Sequence, residues 1–183
     1  MTVLIVVAVV VLLLVAVVVL YNGLVRSRNT VDNAWSQIDV QLKRRLDLVP
    51  NLVETVKGYA AHEQRTFDAV ISARNSALAA PSAPGPQAAA DNALSGALRQ
   101  LFALSEAYPD LKANQNFLAL QEELTATESR VSYARQFYND SVLSYHNKLD
   151  TFPTVLVAKF GSFGRREFFE AEAAAQNPPS VSF

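Results

Sequence analysis

Hydrophobic and polar positions follow two successive regimes along this chain. From Val3 to Leu20 every side chain is apolar, with no charge, Pro, Gly or Ser. As a helix that run spans about 30 Å, the thickness of a bilayer's hydrocarbon core. Beyond it, apolar residues recur at Leu24, Val31, Trp35, Ile38, Leu42, Leu46, Val49, Val53 and Val56. Steps of mainly three and four mark one helical face. Asp32, Asp39, Lys43, Arg44, Asp47 and Glu54 fall between them as a solvated side. Only Gly23 interrupts the passage from one regime to the other, so the pattern predicts a single rod from about Val3 to Gly58.

Pro50 lies inside that pattern. It removes a hydrogen bond to the Leu46 carbonyl and crowds the turn, at about 3 kcal/mol in a helix interior. Leu42, Leu46, Val49, Val53 and Val56 stay in phase across it, which favours a kinked continuous helix. The competing reading makes Asp47 the N-cap of a new helix, with Pro50 in its tolerant first turn. The neighbouring Lys43-Arg44-Arg45 fans around a helix rather than forming a stripe, and reads as a solvated face with one snorkelling stem.

Further along, a second helix is expected from about Ala61 to Ala80, with Phe67, Val70, Ile71 and Leu78 on its face. "PSAPGPQAAAD" (81–91) reads as a loop. A third helix follows from about Asp91, carrying Leu94, Leu98, Leu101 and Leu104, until Pro109. The fourth is the most periodic: Phe117, Leu120, Leu124, Val131, Ala134, Tyr138, Val142, Tyr145 and Leu149, ending before Pro153. The expected fold class is all-α: an N-terminal transmembrane helix continuous with an antiparallel up-and-down bundle of long helices. The two middle helices, half as long as the others, either stack end to end as a third rod or lie side by side in a four-helix bundle. The division is 1–21 anchor, 22–150 bundle and 151–183 aromatic tail.

The tail holds Phe152, Phe160, Phe163, Phe168, Phe169 and Phe183, six of the ten phenylalanines. Rings of this size seek burial. Phe160, Phe163, Phe168, Phe169 and Phe183 are therefore the candidates for packing on their own bundle, on a neighbouring copy or on the membrane surface. Val3 and Leu20 bound the membrane anchor, and Pro50 marks the kink. No Lys or Arg precedes the apolar run and Leu20-Tyr21-Asn22 is a poor cleavage context, so a retained anchor is expected rather than a signal peptide. Arg26 and Arg28 follow an uncharged N-terminal flank. The positive-inside rule then places the amino terminus outside and the bundle in the cytoplasm, on a single-pass protein of the inner membrane.

Charge and composition remove more chemistry than they add. The 183 residues carry 16 basic and 17 acidic side chains, which gives no electrostatic pull toward nucleic acid. With no Cys, disulfides, thiol catalysis and thiolate metal ligation are excluded. His62 opens "HEQRT" without the second His that a zinc motif needs. "GSFG" (161–164) is neither a nucleophile elbow nor, as "GSFGRR", a phosphate loop. Glu122, Glu123 and Glu128 read as solvated helix charges, and Trp35 as core. No catalytic, metal or cofactor set is expected.

The stretches "YNGLVRSRNTVDNAWSQIDVQLKRRLDLVPNLVETVKGYAAHE" and "YPDLKANQNFLALQEELTATESRVSYARQFYNDSV" and the terminal "FP…F…FF…P…F" pattern make the chain similar to LemA-family proteins. Tyr21, Asn22, Trp35, Ile38, Arg45, Pro50, Asn51, Gly58, Glu63, Tyr108, Pro109, Leu120, Glu128, Arg135, Tyr138, Asn139, Pro153 and Phe183 carry the likeness. The resemblance implies a small bacterial protein with one N-terminal transmembrane helix and a helical-bundle domain, N-terminus out. It implies no catalytic residue. Some relatives are associated with membrane proteases or specialised membrane compartments. The expected function is a non-catalytic, homo-oligomeric scaffold at the lipid bilayer. An adaptor for another membrane protein, such as a protease, is the alternative, and an enzyme a distant third.

Overall fold

A computed structural model describes residues 1–169. Among the described residues there are six helices and no strand: α1 Thr2–Lys57, α2 Gln64–Ala79, α3 Pro84–Ser105, α4 Pro109–Lys112, α5 Gln115–Asp150 and α6 Thr154–Phe160. The chain is all-α, as its periodicities predict. They fall into two compact units. The anchor unit comprises residues 1–36 and 136–167; the core unit comprises 37–135 with Phe168 and Phe169. The long helices α1 and α5 contribute to both.

α1 begins with the apolar run and continues through Pro50 without a break. Every position of the predicted face is buried except Trp35, which is half-buried. Asp47 does not start a new helix. The carbonyl that Pro50 orphans is nonetheless satisfied, because the Arg74 guanidinium of α2 donates its Nε–H to the Leu46 oxygen at 2.9 Å. That bond supplies what the proline withholds.

The core unit closes on Leu46, Val49, Leu52, Val53 and Val56 of α1, Phe67, Val70 and Ala77 of α2, Leu94, Leu98 and Leu101 of α3, and Leu111, Phe117 and Leu124. α2 and α3 pack against each other. Two expectations are corrected here. The loop predicted over 81–91 is only 80–83, and α3 starts seven residues earlier than expected. Pro84 and Pro86 sit in its first turn, where a missing N–H costs nothing and the fixed φ suits a helix. The buried face of α2 also differs: Ile71 and Leu78 are exposed at 37% and 54%, while Ala77 is buried. Small Ala77 sits where α2 approaches its neighbours, so apolar side-chain size misled the phase. α5 starts cleanly because Asn114 caps it, accepting the Phe117 N–H at 3.0 Å.

Candidate functional site

Two clusters of polar and aromatic side chains stand out, one in each unit. In the core unit, Arg45 is 4% exposed, where the sequence pattern puts a solvated charge. Lys43 and Arg44 do face water, paired with Asp39 at 2.7 Å and with Glu123 at 2.5 Å. Arg45 points the other way, as the third residue of a fan around the helix must. Its Nη1 donates to Asp91 Oδ1 at 2.5 Å, and its Nη2 pairs with Glu128. Asp91, from α3, is as buried as Arg45, whereas the Glu128 side chain is 52% exposed. Arg135 stands 4.0 Å from the second Asp91 oxygen. Its guanidinium also lies 4.7 Å from the centre of the Phe169 ring, which is 1% exposed. Glu128, half-exposed, thus ends a chain that runs Glu128–Arg45–Asp91–Arg135. Arg45 Nε and the neighbouring Thr127 hydroxyl are buried with no protein partner.

The arrangement is electrostatic rather than catalytic. Each carboxylate is committed to an arginine. Among the described residues no three of His, Asp and Glu converge on a point where a cation would sit. Elsewhere in this unit, the Tyr108 hydroxyl donates to Glu63 at 3.1 Å, and that hydrogen bond is the first cause raising its pKa above 10.

The anchor unit is organised by the tail. After α6 and a Gly161–Ser162 turn, in which Ser162 takes φ 53°, residues 163–167 have no regular secondary structure and bond to α1 and α5. They have no strand partner, so side chains satisfy their backbone. Tyr145 donates its hydroxyl to the Gly164 carbonyl at 3.1 Å, and Tyr138 to the Glu167 carbonyl at 2.7 Å. His146 accepts the Arg166 N–H on Nε2 at 3.1 Å. Arg165 forks onto both oxygens of Asp150 at 2.8 and 2.6 Å, and Arg166 reaches Asp32 at 2.8 Å. Burial raises the pKa of both phenols; the Arg166 charge opposes it at each. Trp35 packs on Tyr138 with ring centres 5.6 Å apart, a core role for both.

The aromatic candidates do not form one patch. Phe163 is half-buried, edge-on to Tyr21 at 5.4 Å and beneath the Arg28 guanidinium at 5.6 Å. Gly161 makes room for it: a Cβ there would meet the Phe163 ring at 2.5 Å. Phe169 is buried in the core unit, and Phe168 is 38% exposed. Phe160 is 92% exposed; Phe183 lies outside the described residues. At the other end, Val3 is exposed and Leu20 half-buried, and the whole apolar window from which they come is free of protein cover. α1 is long and apolar enough there to cross a membrane, with a mean hydropathy of 3.8 in its best window. Pro50 is exposed within α1.

Sequence reasoning missed Asp91, Tyr145 and His146 as site-building residues. Asp91 and Arg45 are 46 positions apart, and the pairing leaves no periodic trace. His146 was visible as one of two histidines, but only the tail's path gives it a task.

Comparison with known proteins places this architecture. The LemA-family model matches residues 34–183. The chain is 28% identical to Protein LemA of Metamycoplasma hominis over 141 residues, covering 75% of this chain and 63% of that protein. It thus spans less than two thirds of that relative's length. It is also 24% identical to the magnetosome protein MamQ of Magnetospirillum gryphiswaldense and 23% identical to MamQ 2 of Paramagnetospirillum magneticum. Each of these matches covers 86% of this chain and 67% of the relative.

Proposed function

The chain belongs to the LemA family, and we propose that it is a membrane-anchored, non-catalytic scaffold that acts by self-association. One observation carries this reading: α1 passes from its apolar run into the helical domain without a linker. A catalytic protein needs a convergent reactive set, and the two clusters described are instead ion pairs and tail-holding hydrogen bonds. An up-and-down antiparallel bundle belongs to the same reading, as does an inner-membrane location with the amino terminus outside. Protease treatment of right-side-out cells tests the topology: cleavage at Arg65 or Arg74 without lysis would reverse it.

Self-association is tested by sizing the detergent-solubilised full chain with mass determination. A stable oligomer is expected. A strict monomer would end the scaffold reading and favour the alternative, an adaptor that engages a different membrane protein. Two relatives are magnetosome proteins by name, which supports a role at a membrane structure and leaves the identity of the partner to experiment.

A further inference from the structure

The short helix α6 has an apolar face that no part of the anchor unit covers. Phe152 lies two residues before α6, and Leu156 and Phe160, four apart within it, share one helical face. The three are 79%, 52% and 92% exposed. Ala158, on the opposite side, is buried against the unit. α6 is thus amphipathic in the reverse of the usual sense: its small side faces the protein and its large apolar side faces out.

Its position says what covers that face. Gly161, directly after α6, abuts the Phe163 ring, and that ring packs on Tyr21. Tyr21 is the first residue beyond the apolar run. The C-terminal end of α6 is therefore held at the level where α1 leaves the hydrocarbon. Charge at this level agrees. Residues 21–28 and 148–165 carry Arg26, Arg28, Lys148, Lys159 and Arg165 against the single acid Asp150, which Arg165 already neutralises. Lys159 flanks the apolar stripe.

We propose that α6 is a second membrane contact: Phe152, Leu156 and Phe160 insert into the interfacial region of the bilayer that α1 crosses, and the surrounding lysines and arginines select anionic headgroups. Short apolar faces bind membranes weakly on their own. Here the anchor already holds α6 at the surface, so insertion is an intramolecular step at high effective concentration. The inference rests on the reading of α1 as a membrane anchor.

The absence of Cys allows single reporter sites in the full chain. Three variants, Phe160→Cys, Leu13→Cys and Ser36→Cys, are labelled with a polarity-sensitive fluorophore. They are then reconstituted into phosphatidylcholine vesicles, with or without phosphatidylglycerol, carrying bromine near the headgroup or near the chain ends. Leu13 reports the anchor, and exposed Ser36, about 22 Å along α1 beyond Tyr21, reports water. The expected result is a blue-shifted Phe160 label quenched by shallow bromine, more strongly with phosphatidylglycerol, while Ser36 is unquenched and Leu13 responds to deep bromine. A Phe160 label as unquenched as Ser36, with Leu13 still quenched, overturns the proposal and leaves the anchor standing. An unquenched Leu13 overturns the anchor itself. A Phe160 label that is blue-shifted only at high protein density and never quenched overturns lipid insertion in favour of a second copy. Indifference to phosphatidylglycerol, or to Lys148→Gln with Lys159→Gln, overturns the headgroup preference.

Discussion

Replacing Asp91 with Ala removes a carboxylate that is 4% exposed and leaves an equally buried Arg45 with Glu128 as its one ion-pair partner among the described residues. Removing one member of a buried ion pair costs about 3–5 kcal/mol, mostly because the remaining charge is stranded. Glu128 softens this, but at 52% exposure its pairing is worth only about 0–1 kcal/mol. The Asp91→Ala cost should therefore lie near the lower end, about 3 kcal/mol. Arg45→Met combined with Asp91→Ala removes both charges and fills the space with an apolar chain, so the double variant should recover most of that loss. The cycle would then show a coupling of about 2–3 kcal/mol, the size expected of contacting charges. Urea unfolding of the detergent-solubilised chain, followed by far-ultraviolet circular dichroism, reads the effect. With a slope of about 1–3 kcal/mol/M, the midpoint should fall by roughly 1–3 M. An Asp91→Ala midpoint unchanged within error, or a double variant equal to the sum of the singles, would refute the idea that these charges are desolvated and coupled.

Arg74→Met should cost about 1–3 kcal/mol by stranding the Leu46 carbonyl, and clearly less in a Pro50→Ala background, where residue 50 regains the N–H that bonds it; equal costs in both backgrounds would show that Arg74 does not compensate for the proline. Leu124→Ala, at a 4% exposed core position, should cost about 2–5 kcal/mol, read as a midpoint shift on denaturation. The Tyr138 and Tyr145 phenols hold their protons more tightly folded than unfolded, chiefly through burial. Their contribution is thus intact below about pH 10 and lost as pH rises through the raised folded values. Urea midpoints should accordingly fall as pH rises past about 10, and Tyr138→Phe with Tyr145→Phe should flatten that fall.

The long helices were legible because burial repeats along them. The face of α1 from Leu24 to Val56 and that of α5 from Phe117 to Leu149 are interior almost position for position, and the phase across Pro50 correctly indicated an unbroken helix. Periodicity could not say who satisfies the Leu46 carbonyl, since Arg74 comes from another helix. The start of α3 was hidden because proline has two meanings, breaker in an interior and good starter in a first turn. Arg45 was misjudged for a related reason: a charge reads as solvated until its countercharge is found, and Asp91 lay in the segment taken for a loop. The tail's aromatic richness was plain, but an irregular segment held by tyrosine hydroxyls and an imidazole has no repeat to reveal its path.

The unbroken passage of α1 out of its apolar run has a mechanical consequence. A flexible joint would let a domain keep its orientation while its anchor leaned; a continuous helix cannot. Bilayers thinner or thicker than the apolar run change the lean of a spanning helix. A change of about 10° displaces a point 15 residues beyond Tyr21 by about 4 Å, given the helical rise. In the proposed membrane-anchored state, the orientation of the anchor unit would then follow the lean of α1, and lipid composition would become an input to where its surfaces face.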